Sequence, residues 1–305
     1  MDYELYHDES KVHGYWHGIL LVPIESKPLV IEYLEKVRKY TRYEAIIGIK
    51  KIKTEGKIFS CAEAWLDYCI GAMITQFNYK YPHQIFTGER IRDEKQYEIF
   101  ENIVNRNPLG LKFILFRDKD QFKNMYNSLD HGGKIEVSFR IAAKSGLHYL
   151  FSEENHIRIK KIHFDGYEHH GRNIDKKRII ERLNGLRNYC YFKENCSIDD
   201  RSSKHNRENC QLYEDCQLLQ LTDLLIGSFR TALGYYGQGN IPAQKTLANH
   251  VQVLIERYKK GYARMRYSRW KDSFCISESY IENEKWQFQD IEYAKKSEQK
   301  TFWGE

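Results

Sequence analysis

Residues 3–10 read YELYHDES, a run of apolar and aromatic residues that passes directly into two carboxylates and a hydroxyl. This pattern predicts the first strand of a sheet, in which Leu5 and Tyr6 are buried. Asp8 then lies at the end of the strand, where water and a divalent cation can reach it. Glu9 is expected to point away from Asp8 if the strand continues. The stretch therefore predicts the start of the fold and one part of a candidate site.

A second stretch with a chemical signal lies far along the chain, at residues 216–230 (CQLLQLTDLLIGSFR). Its apolar residues recur at helical spacing, which predicts a helix with a broad apolar face and with Asp223 close to that face. A carboxylate beside a buried stripe is unfavourable unless something pairs with it. Between the two stretches, residues 157–164 (IRIKKIHF) alternate as a strand does and lead into Asp165. Gly166 follows and allows the chain to turn close to a ligand.

Three short motifs therefore occur in order. They are Asp8-Glu9-Ser10, Asp165 at the end of a later strand, and residues 220–227 (QLTDLLIG) on a helix. Together they resemble the bacterial domain-of-unknown-function family 3800, which is placed in the ribonuclease H-like superfamily, over roughly the first three-quarters of the chain. The resemblance implies an α/β fold with a ribonuclease H-like mixed sheet and helices on both faces. It also implies a nuclease in a mobile-element or phage-defence setting, with Asp8, Asp165 and Asp223 as ligands of Mg²⁺ or Mn²⁺.

The three aspartates predict a metal centre on chemical grounds as well. If two strand ends and one helix bring them together, their charges are tolerable only with divalent cations between them, and Mg²⁺ prefers hard oxygen ligands. Two such ions about 4 Å apart can activate a water and stabilise the leaving oxygen of a phosphodiester. The alternative is that Asp8 caps a turn, Asp165 begins a type I turn and Asp223 is a surface acid of its helix.

A fourth carboxylate and a helper cation have candidates in the first quarter of the chain. The resembled family is expected to have Glu-x-Lys near the end of its third strand. Residues 48–50 (GIK) stand there in this chain, so the lysine matches and the glutamate does not. Lys50 is a candidate electrostatic helper near the phosphate. Glu63 or Glu44 is a candidate fourth carboxylate, although Ser60 and Glu63 also fit a capping box at the start of a helix.

The other segments predict strands and helices that alternate around the sheet. Residues 14–24 predict a second strand, and residues 43–52 (YEAIIGIKKI) a third strand of the same meander. The further predicted elements are helices at 28–40, 59–73, 92–105, 119–129, 135–152 and 171–184 and a strand at 111–117. We expect a main domain over residues 1–240. A helical C-terminal extension over residues 241–305 is indicated by the apolar spacing of Leu247, Val251, Leu254 and Ile255.

Residues 256–272 (ERYKKGYARMRYSRWKD) form a strongly basic window with interleaved aromatic residues. Basic groups neutralise phosphates, and aromatic faces stack on unpaired bases, so the window is a candidate for nucleic-acid binding. The alternative is an amphipathic helix whose aromatic residues pack on the main domain. The candidate binding residues are Arg257, Lys259, Lys260, Arg264, Arg266, Arg269 and Lys271.

Cysteines and histidines in the same half of the chain give less specific signals. The cysteines in and beside a predicted polar loop are Cys190, Cys196, Cys210 and Cys216. Their spacing differs from the two to four residues usual between zinc ligands, so zinc binding and incidental thiols both stay open. The histidines nearest to Asp165 and this loop in sequence are His163, His169, His170 and His205. Each of them either assists at a metal site or is packed.

Composition limits the class of protein. The chain has 305 residues, of which 41% are hydrophobic and 30% charged, with a formal net charge of +6. This composition excludes a disordered chain, and no apolar run is long enough to span a bilayer. The acidic first residues differ from a secretory signal, so we expect a cytoplasmic protein. The odd number of cysteines, seven, favours free thiols.

Two hypotheses of different classes follow. The first is a metal-dependent nuclease that hydrolyses a phosphodiester of DNA or RNA by in-line attack of a water. The second is a ribonuclease H-like module that binds nucleic acid or docks a partner without turnover, and the glycine at position 48 is its best support. Nucleic acid is the expected partner in both cases. A protein partner or a homodimer is a further possibility, and no membrane is expected.

Overall fold

The computed structural model describes residues 1–75, 110–120, 128–151, 157–165, 175–184, 190–201, 212–259, 274–283 and 285–295. The strands are β1 (Asp2–Ser10), β2 (Tyr15–Pro23), β3 (Lys112–Asp118), β4 (Ile157–Asp165), β5 (Cys190–Arg201), β6 (Phe274–Glu282) and β7 (Lys285–Asp290). The helices are α1 (Lys27–Thr41), α2 (Lys57–Thr75), α3 (His131–Leu150), α4 (Lys176–Leu183), α5 (Tyr213–Ala232) and α6 (Ile241–Lys259).

The strands form one mixed sheet in the order β5-β4-β1-β2-β3-β6-β7. Strand β2 runs antiparallel to β1 and β3, while β4 and β5 run parallel to β1, and β6 runs parallel to β3. The carboxyl ends of β1, β3 and β4 therefore meet at the same edge of the sheet. The predicted α/β class with a mixed sheet is confirmed, and the ends of β1 and β4, which carry Asp8 and Asp165, lie side by side.

Each face of the sheet is covered by helices, as predicted. Residues of α1, α2, α5 and α6 form one core with side chains such as Tyr6 and Leu20. Residues of α3 and α4 form the other core with alternate side chains such as Leu5 and Ile19. The two cores follow from the alternation of side chains along each strand. No helix in the described part of the chain is long and apolar enough to cross a bilayer.

The prediction of a third strand at residues 43–52 is wrong. This segment is a loop with a single 3-10 turn at Ile49–Lys51. Its backbone groups are bonded to side chains of two helices: Arg38 donates to the carbonyl oxygens of Tyr43 and Ala45, and Gln220 accepts from the Ile47 N–H. Because these polar groups are satisfied without a neighbouring strand, Ile47, Ile49 and Ile52 are buried outside the sheet.

The prediction of a helical C-terminal extension is right for α6 and wrong for the segment beyond it. Leu247, Val251, Leu254 and Ile255 are buried on α6 as their spacing indicated. Strands β6 and β7, however, extend the central sheet beyond β3. Strands on both sides of the predicted boundary at residues 240–241 therefore belong to one sheet. The predicted helix at 92–105 lies outside the described residues, and so does most of that at 119–129.

A glycine lets α5 approach the sheet closely at the level of Asp8. Gly18 of β2 pairs with Asp8 in the antiparallel ladder. A Cβ atom at position 18 would lie 2.1 Å from Ile226 Cγ1 and 2.5 Å from Ile226 Cδ1, which is far inside a normal contact. Only a residue without a side chain allows this helix to reach the strand end that carries Asp8.

We predict that Gly18→Ala lowers the free energy of unfolding by about 1–3 kcal/mol, because the added methyl group overpacks the α5–β2 contact. In the double variant Gly18→Ala/Ile226→Ala the clashing atoms are gone. The two substitutions should therefore show a favourable coupling of about 1 kcal/mol in a double-mutant cycle measured by urea unfolding. If the losses of stability from the two single substitutions simply add in the double variant, the close approach of α5 to β2 at Gly18 is not required.

Candidate metal centre

Asp8 and Asp165 come together because their strands are parallel neighbours. His7 of β1 pairs with Phe164 of β4, so the next residue on each strand is one of the two aspartates. Phe164 is buried in the core under α3 and α4. Asp8 and Asp165 therefore face the other side of the sheet, toward α5. Asp8 lies beside Asp165, but it is buried and β1 continues to pair with β2 as far as Ser10, so Asp8 is not at the exposed end of its strand as predicted.

Asp223 joins this pair from α5. Burial and the charges of Asp223 and Asp165 raise the pKa of Asp8 well above its usual value, although the Glu9 N–H donates to Asp8 Oδ1 at 2.7 Å. Burial also raises the pKa of Asp223, where the charge of Asp165 adds to the effect and a bond from the Ile49 N–H opposes it. The three predicted aspartates therefore lie close enough for their charges to affect one another. Among the described residues, however, only Glu4, His163 and Asp215 place three ligand atoms within 4.8 Å of one another.

The motif QLTDLLIG has a structural explanation, since three of its residues hold the loop at 47–49. The Gln220 Oε1 accepts from the Ile47 N–H at 2.9 Å, and Asp223 Oδ2 accepts from the Ile49 N–H at 2.7 Å. At position 227 a Cβ would lie 2.2 Å from Ile49 Cγ1, so Gly227 leaves the space that the Ile49 side chain fills. The motif therefore fixes both the carboxylate and the loop that precedes Lys50.

Two cations lie near Asp223. Lys50 is exposed on the loop, and its charge lowers the pKa of Asp223. Arg230 is buried two turns further along α5 and donates to the carbonyl oxygen of Tyr235. Burial lowers the pKa of Arg230 to about 10, against the effect of Asp223. Lys50 was predicted as a helper and Arg230 was missed, although its position seven residues after Asp223 places it near the same helix face.

Glu63 is placed against α6 and not at the predicted cap of a helix. Helix α2 begins at Lys57, so Ser60 lies inside it and the predicted capping box is wrong. The Glu63 Oε1 lies 3.4 Å from His250 Nε2, and Asp67 Oδ1 lies 2.5 Å from His250 Nδ1. The structure therefore gives Glu63 a histidine partner on α6. Glu44, the other candidate fourth carboxylate, is exposed on the 43–47 loop.

A second polar group, which the sequence did not indicate, lies on the same face of the sheet as the aspartates. Lys27 Nζ lies 2.7 Å from Glu4 Oε2 and 2.8 Å from Asp215 Oδ1. The Tyr6 hydroxyl donates to Glu4 Oε2 at 2.6 Å, and the Tyr6 ring stacks on His163 at 4.4 Å between centroids. The two ring nitrogens of His163 lie 3.4 Å from Glu4 Oε2 and from Asp215 Oδ2.

This second group offers metal ligands but already contains a cation. Ligand atoms of Glu4, His163 and Asp215 all lie within 4.8 Å of one another, and no other three such residues in the described part of the chain do so. Burial alone raises the pKa of Glu4, but bonds with His163, Lys27 and Tyr6 outweigh it and lower the pKa. Because the Lys27 ammonium lies between the two carboxylates, it offsets their charge as a metal ion would. The aspartate group therefore has the greater need of an added cation.

The remaining candidates separate into buried residues and residues outside the described part. His163 is fully buried against Tyr6 and also lies in the group with Glu4 and Asp215, so the packed and the metal-site alternatives both stay open for it. His169, His170, His205, Cys210 and the basic residues from Lys260 to Lys271 lie outside the described residues. Arg257 and Lys259 fall in the last turn of α6.

The predicted cysteine loop is a strand over its first half. Cys190 and Cys196 belong to β5, and Cys216 is buried on α5. Burial raises the pKa of both Cys190 and Cys196 to about 12. Thiolates are the form that binds zinc. These two thiols are therefore protonated at neutral pH in the absence of a metal, and because Cys210 lies outside the described residues, zinc binding and incidental thiols both stay open.

A scan against protein-family models gives no match for this chain, and a search of curated proteins gives none either. The family resemblance of the three motifs therefore stays a prediction.

The pairing of Glu63 with His250 predicts a pH dependence of stability. Burial lowers the pKa of His250, but bonds to Asp67 and Glu63 outweigh it and raise the pKa from 6.5 to about 9. The folded chain binds this proton more tightly than the unfolded chain. The stabilisation is therefore complete below about pH 6.5 and is lost as the pH rises through about 9.

We predict that His250→Gln lowers the free energy of unfolding at pH 6 on the order of 2 kcal/mol and removes the decline between pH 6.5 and pH 9. Urea unfolding across this pH range measures both effects. His148→Gln, at an exposed position of α3, is the matched control and should keep the wild-type profile. Parallel profiles of wild type and His250→Gln would show that the histidine is not held by these carboxylates.

Proposed function

We propose that this protein is a metal-dependent nuclease with a ribonuclease H-like fold. The observation that carries the proposal is the approach of Asp8, Asp165 and Asp223 to one another, in which burial and the charges of the other two raise the pKa of Asp8. Two strand ends and one buried helix hold these acids at one edge of the sheet. Such an arrangement is unfavourable by itself and becomes favourable when divalent cations bind.

The sheet supports the fold assignment. Strands β1, β2 and β3 form the antiparallel meander with which ribonuclease H-like folds begin, and β4 adds in parallel to β1. The third strand of this meander comes from residues 112–118, after two helices, and not from the predicted segment. The order of the motifs along the chain and the position of Asp8 and Asp165 at neighbouring strand ends agree with the resembled family.

The donor set fits Mg²⁺ or Mn²⁺, since it consists of carboxylate oxygens. Asp8, Asp165 and Asp223 would hold the cations, which supply charge neutralisation and activation of a water for attack on the phosphodiester. The chain's own contribution is orientation. The Ile49 N–H fixes Asp223 Oδ2, and the Glu9 N–H fixes Asp8 Oδ1. Lys50, exposed beside Asp223, is placed to attract a phosphate group.

The nucleic acid is proposed as DNA or RNA, and the basic residues of 256–272 are proposed to guide it toward the carboxylates. Their positive charge would offset the repulsion between the acids and a phosphate chain. A role in phage defence or mobile-element biology is the setting that the family resemblance implies. The cytoplasm is the proposed location.

A second candidate function is a binding module that has lost turnover, and the residue at position 48 favours it. The resembled family has a glutamate there, whereas a Cβ on Gly48 would lie 3.3 Å from Asp223 Oδ2. A glutamate side chain at position 48 would therefore lie beside Asp223 and add a carboxylate to the three aspartates, and this chain lacks it. A nuclease requires the cations for cleavage, whereas an inactive module binds nucleic acid equally well in the presence of a chelator.

We predict that Asp8→Asn abolishes Mn²⁺-dependent cleavage, with a loss of at least about 100-fold, because an amide cannot replace the anionic ligand. A second readout is thermal stability. Because the Asp8 pKa is raised, the folded state disfavours the carboxylate, and the neutral Asn should raise the melting temperature at pH 7 without metal. Mn²⁺ should stabilise the wild type and leave Asp8→Asn unchanged.

Asp2→Asn is the matched control, since Asp2 lies at the other end of β1 and pairs with Lys160 and Arg158. It should keep both the cleavage and the response to Mn²⁺. Cleavage by Asp8→Asn at the wild-type rate would contradict the nuclease proposal. If the wild type binds nucleic acid but cleaves no DNA or RNA substrate with either metal, the second candidate function is favoured.

We also predict that Gly48→Glu tightens Mn²⁺ binding about tenfold, because it adds a carboxylate beside Asp223. Gly48 has extended backbone angles (φ −160°, ψ 142°) that glutamate can adopt. Isothermal titration calorimetry measures the effect, and Gly48→Gln controls for the size of the side chain. Equal binding by the two variants would show that position 48 does not face the cations.

A further inference from the structure

The face of the sheet opposite α5 carries a concentration of positive charge on α3 and α4. These two helices hold seven Lys or Arg residues against Glu136 and Glu181. The basic residues are Lys134, Arg140, Lys144, Lys176, Lys177, Arg178 and Arg182. The N-termini of both helices follow the carboxyl ends of strands, so this charge begins at the edge of the sheet where Asp8 and Asp165 lie.

One buried carboxylate lies between two of these residues, Arg140 and Arg178. Glu136 of α3 has a side chain that is only 1% exposed. Arg178 of α4 donates through Nε to Oε1 at 2.8 Å and through Nη2 to Oε2 at 2.5 Å. Arg140 Nε lies 3.2 Å from Glu136 Oε1 but makes no hydrogen bond with any described residue. Arg178 therefore binds both carboxylate oxygens, and Arg140 shares the carboxylate through a longer and less well aligned contact.

Arg182 adds a third guanidinium to this group. Burial and the charges of Arg182 and Arg178 lower the pKa of Arg140, against the effect of Glu136. Arg178 and Arg140 thus share the Glu136 carboxylate, and Arg182 adds a third positive charge that acts on Arg140, so the group has an excess of positive charge. The planar fork of arginine matches the oxygens of a phosphate, and an anion of this kind would offset the excess charge.

The position of the group relates it to the metal centre. The Ser138 Oγ, between Glu136 and Arg140 on α3, lies 2.8 Å from His17 Nε2. His17 pairs with Glu9 in the ladder, one residue beyond Asp8. The arginines therefore lie at the same level along the strands as the aspartates, on the other face of the sheet.

We propose that the arginine cluster, Arg140, Arg178 and Arg182, binds backbone phosphates of the nucleic acid that the aspartate group acts on. The proposal rests on the proposed function for the identity of the ligand. A polymer with a phosphate at every nucleotide fits a row of cations along two helices, and its path over the edge of the sheet connects them with the carboxylates. The cluster then contributes affinity and position, and the aspartates contribute chemistry.

The test uses the double variant Arg140→Gln/Arg182→Gln, which leaves the bond between Arg178 and Glu136 intact. Binding of fluorescein-labelled 20-nucleotide probes (duplex DNA, single-stranded DNA and single-stranded RNA) is measured in EDTA over a range of salt concentrations. The full chain is used throughout, and the urea midpoint confirms that it is folded. Lys36→Gln/Lys39→Gln on α1, on the opposite face, removes the same charge and is the control.

We expect the arginine variant to bind the preferred probe about tenfold more weakly, with a salt slope smaller by about 0.7–0.9 for each phosphate that the variant no longer binds. The lysine control should keep wild-type binding. Arg140→Lys/Arg182→Lys, which keeps the charge and removes the fork, should fall between the two. Cleavage of the bound probe in Mn²⁺ should persist at high enzyme concentration.

Unchanged affinity and salt slope in the arginine variant would overturn the proposal, even if the wild type cleaves nucleic acid. An equal weakening in the lysine control would overturn it as well, since the effect would then be one of net charge. Poly-glutamate that displaced the probe at equal charge concentration would indicate an acidic protein partner and would also overturn it. If binding depends on the arginines but no cleavage occurs with metal, the cluster stands and the nuclease proposal fails.

Discussion

The packing of α5 against the hairpin of β1 and β2 is the contact on which the site depends. All residues of α5 are buried except Glu214, which is exposed, and Asp223 and Ala232, which are half-buried. A helix so fully buried can approach a sheet only where the sheet leaves room, and Gly18 provides that room opposite Asp8. The apolar contact therefore supplies the favourable free energy, and the proximity of Asp223 to Asp8 is its consequence. Bringing two carboxylates together in this way is unfavourable and has to be offset by packing.

The two polar groups on this face follow from the geometry of a helix that runs alongside a strand. Asp215 and Asp223 are eight residues apart on α5, which spans about 12 Å, and Glu4 and Asp8 are four residues apart on β1, which spans about 13 Å. Two meeting points follow. Asp215 lies beside Glu4 at the first, and Asp223 lies near Asp8 at the second, further along the same helix and strand. At the first meeting point Lys27 offsets the carboxylates. At the second, Lys50 and Arg230 act on Asp223 with smaller effect than burial, which is where added cations would be most favourable.

The sequence predicted the elements whose pattern is local. The alternation of β1 and β4 and the apolar spacing of α5 predicted the elements that carry the three aspartates, and the family resemblance implied their grouping. The sequence did not predict that residues 43–52 form a loop, because their β-branched residues favour a strand. The side chains that bond the backbone of this loop in place of a neighbouring strand, Arg38 and Gln220, lie on helices elsewhere in the chain. Strand β6 was missed since its partner in the sheet, β3, is distant in sequence, and β7, which pairs with β6, was missed with it. The group around Lys27 was missed for the same reason, because its members come from β1, α1, β4 and α5.

The sheet keeps the two charged regions of the molecule apart. The aspartates lie on the α5 face and the arginines around Glu136 lie on the α3 face, although both are at the level of His17 and Asp8. If the arginines lay on the α5 face, they would pair with the aspartates and offset the charge that favours cation binding, as Lys27 does for Glu4 and Asp215. Separation by a layer of buried side chains prevents this pairing. A metal centre and a phosphate-binding surface can therefore serve one polyanion only if the sheet edge, and not the sheet interior, connects them.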